Sequence, residues 1–257
     1  MFEFLKKESK KIDVTFATSV WENDYTFLED RAYLHKKIIH HCHLFTRKIL
    51  IINNVKDPDY VKKLADERVK DGFFTDVFFA KDYEKEVLEF FELKREDFKS
   101  DRPDVSDDWV FYNALGPLTA IYLSSTPYLL YCTGDVYLNE KIMWIPKAIL
   151  MMEKNKNYKV ANLTWNDKFD EAKKESYRAK TGFFVAKEGF SDQLFLVRSE
   201  DFRAPIYSEI REDSHHFPRG SVFEKRVFSY MKNHGWKRLT YQKASYVHED
   251  YQPLVTR

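Results

Sequence analysis

An α/β fold is predicted for this chain of 257 residues. It has a Rossmann-like, mostly parallel central sheet flanked by helices, with mixed strands in the C-terminal half. Three observations lead there. Short apolar runs alternate with helical patterns as far as about residue 138, the signature of strand–helix–strand units. The run 128–132 (Tyr-Leu-Leu-Tyr-Cys) is apolar or aromatic throughout, as in a strand buried on both faces. It empties into Thr133-Gly134-Asp135, and ligands bind in open α/β sheets where strands end in this way. The other reading of Gly134-Asp135 is a turn that supplies backbone geometry alone.

The elements follow in order. Residues 12–18 are rich in β-formers and read as the first strand, emptying into a polar loop at 19–24. A helical stretch at 27–44 leads to a second strand at 47–52 that ends at Asn53-Asn54. Asp57-Pro58 opens the next helix with a cap and a first-turn proline. Val61, Leu64, Ala65 and Val69 mark its apolar face, and Gly72 closes it. Residues 75–80 form a third strand and 82–92 a short amphipathic helix. After a polar break at 101–107, a helix at about 108–124 carries Phe111, Leu115, Leu118 and Tyr122 at helical spacing. Gly116-Pro117 inside it predicts a kink or a break.

Beyond Asp135 the pattern loosens. A helix carries Trp144, Ala148 and Met152, and a strand at 158–165 ends in Trp165. Residues 166–181 are charged with a weak apolar pattern, which predicts a mobile loop or loose helix. Two short apolar segments, 182–186 and 194–197, precede a helix at 221–234 stopped by Gly235. A last strand at 244–247 ends at His248.

Length and composition narrow the function classes. The chain is long enough for one α/β domain burying roughly 70–75% of its unfolded surface. We read it as a single domain with a first half at 12–138, a second at 139–248 and a tail at 249–257. With 42 Lys+Arg against 41 Asp+Glu, it lacks the basic excess of a nucleic-acid binder. Cys42 and Cys132 are too few for a disulfide framework, which points to a reducing compartment. The N-terminal MFEFLKKESKK has no apolar signal core, and no run reaches the ~18 residues of a membrane span. A soluble, cytoplasmic protein is the expectation.

Four features carry candidate chemistry: Thr133-Gly134-Asp135, the segment from Gly182 to Gln193, Glu224 in Ser-Val-Phe-Glu-Lys-Arg, and His248 in Ser-Tyr-Val-His. In order and spacing they resemble a glycosyltransferase of the GT-A fold, and the resemblance spans about residues 12–248. It implies a nucleotide-sugar donor, a saccharide-type acceptor, and a role in polysaccharide biosynthesis. It also implies a D-x-D-type motif after a central strand, an acid opening a later helix, and a late histidine. Asp135 is the candidate anchor for the diphosphate or for a divalent cation, Mn²⁺ or Mg²⁺, with His248 as a second metal ligand. Thr133 stands where the family's motif has its first acid. That departure leaves a reduced metal site, or leaving-group stabilisation by Arg219, Arg226, Lys237 and Arg238. Thr18, Ser19, Asn53, Asn113 and Arg219 complete the expected nucleotide-sugar contacts.

Other readings of these residues stay open. Glu224 fits an inverting enzyme's base, which takes the acceptor hydroxyl's proton. Ser221-x-x-Glu224 is equally a capping-box pattern. His248 is otherwise an ordinary strand-end histidine. The turn 190–193 is placed either to meet sugar or acceptor or to make a simple β-turn. Trp165 is a candidate floor for the acceptor cleft. His40-His41-Cys42-His43 looks metal-binding, but consecutive helical residues diverge and no second cluster completes four ligands, so a solvated helix is expected. A nucleotide-sugar-binding protein without catalysis is the alternative function. A nucleotidyltransferase is disfavoured, since no glycine-rich phosphate loop with a following lysine lies near the N-terminus.

Overall fold

Strand β1 (Val14–Trp21) lies inside the sheet because its residues from Val14 to Val20 are all buried. The computed structural model describes residues 12–22, 24–100, 103–186, 189–211 and 222–248. After β1 come α1 (Arg31–Ile38), β2 (Arg47–Asn53), α2 (Pro58–Lys70), β3 (Asp76–Phe79), α3 (Glu84–Phe90) and α4 (Asp107–Leu123). There follow β4 (Tyr128–Cys132), β5 (Val136–Tyr137), α5 (Ile145–Lys154), β6 (Tyr158–Trp165), α6 (Phe169–Lys174), β7 (Ser176–Lys180) and β8 (Phe183–Ala186). The described chain closes with β9 (Leu194–Arg198), α7 (Ser199–Phe202), α8 (Val222–Asn233) and β10 (Lys237–His248).

The sheet runs β3-β2-β1-β4-β9-β6-β10-β8-β7, with β5 paired to β10 off that path. Pairings β3–β2, β2–β1, β1–β4 and β6–β10 are parallel. Strand β9 runs antiparallel to both β4 and β6, and β8 and β7 are antiparallel at the far edge. The α/β class with a mostly parallel first half and mixed second half is what the structure shows.

Side-chain alternation sorts the sheet into two cores. Phe16, Leu50, Ile52 and Leu130 point to one face, beneath Leu34 of α1, Val61 of α2 and Met152 of α5. Ala17, Ile49, Ile51 and Leu129 point to the other, beneath Val87 of α3, Leu118 of α4 and Val227 of α8. Caps set the helix starts. Asp30 accepts from the Ala32 and Tyr33 amides, Asp57 from Tyr60 and Ser106 from Trp109.

Several expectations are corrected. The stretch 27–44 is a 3₁₀ turn, the short α1, and a second 3₁₀ turn at Ile39–His41. Within that turn His41 is buried, not solvated, and accepts the Trp144 indole N–H at 3.0 Å. Burial pushes its imidazole down to about 3, so it is a neutral core residue. Helix α4 runs unbroken through Pro117, with Gly116, Pro117 and Leu118 all buried. At Gly116 a Cβ would lie 3.2 Å from Asn53 Nδ2 and 3.3 Å from Ser19 Oγ, so glycine lets the helix approach the strand ends. Residues 166–181 form α6 and β7; β7 is exposed along most of its length, which erased the alternation of a half-buried strand. Strand β10 begins at Lys237, seven residues early, its pattern broken by an irregularity between Tyr241 and Ser245. Strand β1 runs three residues past Thr18. No helix among the described residues is long and apolar enough to cross a membrane.

Candidate active site

The carboxyl ends of the parallel strands β1, β2, β4, β6 and β10 open onto one cleft of about 490 Å³. Helix α4 walls one side with Trp109 and Asn113, and the start of α8 adds Glu224. The larger groove, about 1200 Å³, lies at the opposite edge beside Tyr128 and Arg198. Its Lys159 and Arg198 are paired with Asp201 and Glu153, and no residue expected at the site reaches it. Strand polarity makes the smaller cleft the candidate site.

The structure brings Ser19, Asn53, Asn113, Asp135, Glu224 and His248 to that cleft. Thr18 is not there. It is fully buried in the middle of β1, opposite Leu50 and Cys132, because the strand outlasts its predicted end. Arg219 lies outside the described residues, as does Ser221 of the capping-box reading. Two of the other cations are also placed elsewhere. Arg226 is buried under Tyr207 and Asp97, donating to the carbonyl of each, and so clamps α8. Lys237 begins β10 at the far end, against Tyr177. Of the cations expected at the leaving group, Arg238 lines the cleft.

At one end Asp135 hangs from the turn after β4. Its Oδ1 accepts the Thr133 hydroxyl at 2.6 Å, and its Oδ2 lies 2.9 Å from His248 Nε2. Burial raises its carboxyl, but the His248 hydrogen bond and charge, the Thr133 hydroxyl and the Lys37 ammonium outweigh that and hold it below the usual range. Beside it stands Asp24, which the sequence reading passed over as one polar loop residue among several. Asp24 accepts the Trp21 amide on Oδ1, and its Oδ2 would lie 2.4 Å from a Cβ on Gly134. Burial pushes the Asp24 carboxyl well up; the Trp21 amide opposes this, and the Asp135 charge adds to the rise.

At the other end Glu224 is half-buried in the cleft wall. Burial, then the neighbouring Asp192 carboxylate, push its carboxyl well above the usual range, with Arg238 opposing. Arg238 is itself buried and fixed: it pairs with Glu175, donates to Thr240 Oγ1 at 3.2 Å, and lies 5.6 Å from the Trp165 ring. A Cβ on Gly189 would meet its Nη1 at 2.8 Å, so the loop before β9 passes close over the guanidinium. Trp165 and Gln193 line the wall, and Gln193 accepts the Tyr246 hydroxyl at 2.9 Å.

Ser19, Trp21, Asn53, Trp109 and Asn113 form a third, uncharged region. The two indoles meet edge to face at 6.2 Å. Asn53 Nδ2 donates to the Tyr112 carbonyl at 2.7 Å, which fixes its Oδ1 as an acceptor; that buried oxygen has no hydrogen-bond partner among the described residues.

No family model matches the chain, and no curated protein matches it in sequence. Solved structures do match in shape. Mouse xyloside xylosyltransferase 1 superposes with a TM-score of 0.50 at 11% identity, over 87% of this chain and 82% of that one. A mannosyltransferase from Pyrobaculum calidifontis, in complex with GDP-Man and Mn²⁺, gives 0.53 at 10% identity, over 91% and 56%. GalNAc-T7 with UDP, GalNAc and Mn²⁺ gives 0.52 at 10% identity, over 94% and 44%. The present chain therefore spans about half the length of the latter two. Strand order, the cleft at the strands' carboxyl ends and these superpositions agree: the chain has the GT-A fold found in nucleotide-sugar glycosyltransferases.

Proposed function

We propose that the chain is a glycosyltransferase that moves a sugar from a nucleotide-sugar donor to a hydroxyl of a saccharide-type acceptor. The observation that carries this is one cleft holding an acid kept ionised, Asp135, and an acid made more basic, Glu224, on a GT-A sheet. The uncharged region receives the nucleoside: the indoles of Trp21 and Trp109 offer aromatic surface, and the Asn53 Oδ1 accepts an N–H from the base.

The diphosphate lies toward Asp135. Its carboxylate and the His248 imidazole suit a divalent cation as an oxygen and a nitrogen donor on one wall. Among the described residues no three His, Cys, Asp or Glu come together to hold an ion. Two protein ligands suffice when phosphate oxygens and water fill the other positions. When bound, such a cation supplies charge stabilisation to the departing diphosphate. Arg238 stands on the Glu224 side, its guanidinium fixed by Glu175.

Glu224 receives the proton of the acceptor hydroxyl as that oxygen attacks the anomeric carbon, and transfer inverts the centre. Trp165 provides an apolar floor on which a saccharide ring packs. The test is a panel of UDP-, GDP-, dTDP- and CMP-sugars, with and without Mn²⁺, read by thermal shift and then by transfer to saccharide acceptors. Protection by none of the donors sinks the reading. A second reading, a binding protein without catalysis, is favoured by the Asp135 oxygens already being engaged by Thr133 and His248. Protection without transfer or donor hydrolysis supports that second reading.

A further inference from the structure

Lys37, on α1, is fully buried, and no expectation from the sequence involved it. Its ammonium donates to three carbonyls of the turn that carries Asp135: those of Thr133, of Gly134 at 3.3 Å and of Val136 at 2.8 Å. An ammonium has three protons to give, and these bonds go to backbone oxygens and to no carboxylate. The head lies between rings, 5.4 Å from the centre of Phe27 and 6.0 Å from that of Tyr33. Tyr33 adds a hydrogen bond of its own to the Gly134 carbonyl, at 2.9 Å.

A buried charge without an ion partner costs several kcal/mol of lost solvation, far more than needed to hold a turn that a neutral donor such as Tyr33 also reaches. What a charge adds is its field, felt by both Asp24 and Asp135. Those two carboxyls flank Gly134, whose missing side chain lets Asp24 lie against the turn. Asp135, the carboxyl of the two that is held ionised, repels a diphosphate until something offsets it.

We propose that Lys37 is the fixed counter-charge of the phosphate end of the cleft, a positioning residue that holds the Thr133–Val136 turn and lets the site hold a nucleoside diphosphate without the divalent cation. The proposal rests on the nucleotide-sugar reading of the cleft. It gives a physical sense to Thr133 standing where a second acid is expected: one fixed positive charge beneath the turn needs fewer acids above it.

The test is calorimetric titration of UDP and GDP into the full chain, once in EDTA and once in saturating Mn²⁺. Lys37→Met should weaken binding about tenfold or more in EDTA and much less in Mn²⁺, since one unit charge near a partly buried site is worth at least that factor. Tyr33→Phe removes a hydrogen bond to the same turn without changing charge, and should shift both conditions equally and slightly. If Lys37→Met does not fold, Lys37→Gln is read in its place; it keeps amide donors for the carbonyls and drops the charge. Equal loss in both buffers, or none, overturns the proposal while leaving the nucleotide reading intact. Wild-type protein that binds neither nucleotide in either buffer overturns that reading as well.

Discussion

The two charged ends of the cleft treat a carboxyl in opposite ways. Asp135 meets an imidazole, a hydroxyl and a buried ammonium, and its proton is held off despite burial. Glu224 meets burial and a second carboxylate, Asp192, and its proton is held on, with only Arg238 opposing. Under the proposed function two acids pushed apart in this way take different tasks: the ionised one binds cation or charge, and the more basic one moves protons. The uncharged region around Asn53 takes no part in this division.

The largest expected effect breaks the comparison at its basic end. Glu224→Gln should lower kcat by about 10²–10⁴-fold, the usual worth of a positioned base, while UDP-sugar or GDP-sugar affinity stays within error. Unchanged turnover would remove Glu224 from the mechanism. The pH profile carries a sign. The ionised form is the base, so kcat/KM should climb with pH along an acid limb lying above the usual carboxylate range. Stability runs the other way. With its folded value raised, Glu224 contributes stability that is fully present below its unfolded value and lost as pH rises through the folded one. Glu224→Gln should therefore melt higher than wild type at alkaline pH, with the gap closing in acid; a gap independent of pH would mean the carboxyl is not perturbed.

The next effect tests the ionised end. Asp135→Asn removes a ligand yet preserves shape, and should abolish any Mn²⁺-dependent gain in donor affinity, measured by calorimetry. An unaltered Mn²⁺ response would move the cation elsewhere. Because the Asp135 value is depressed on folding, its stabilising contribution is present above the unfolded value and lost as pH falls through the folded one. The destabilisation of Asp135→Asn should thus be full near neutrality and shrink in acid. His248→Ala should reduce the Mn²⁺ gain less than Asp135→Asn does, because a neutral nitrogen is a weaker partner for a hard cation than a carboxylate.

Legibility in the sequence followed burial pattern. Strands β2 and β4 are largely apolar and β1 is rich in β-formers, all three mostly buried, and they could be read directly together with the helices between them. Asp135 was readable because it interrupts such a run. The far edge was not: β7 is exposed on most positions, and the stretch 237–243 of β10 carries charged and polar side chains used at the cleft or along the edge. At the site, residues ending strands or opening helices stood out, whereas Asp24 and Lys37 did not. Asp24 sits in a polar loop where any acid looks solvated, and Lys37 belongs to a short helix with a mixed pattern. Both make their contacts with a turn about a hundred residues away, and local spacing carries no trace of that.

The smallest expected effect sharpens the contrast between the charged ends and the neutral region. In the proposed reading a base N–H reaches the Asn53 Oδ1, which is buried and without a hydrogen-bond partner among the described residues, and the nucleobase sits equally well there before and during transfer. Its hydrogen bond is therefore uniform binding, which changes KM and leaves kcat alone. Asn53→Ala should raise the donor KM by about 3–10-fold, the range of one neutral hydrogen bond of 0.5–1.5 kcal/mol, with kcat within twofold or so of wild type. The substitution also strips a donor from the Tyr112 carbonyl, so Asn53→Ser is the useful companion, keeping a small polar group in place. If the KM increase differs between a base with a ring N–H at its pairing edge, such as uracil, and one without, such as cytosine, then Asn53 reads the base. An equal increase for both would make Asn53 a support for α4, and a fall in kcat would tie the neutral region to the chemistry at Glu224.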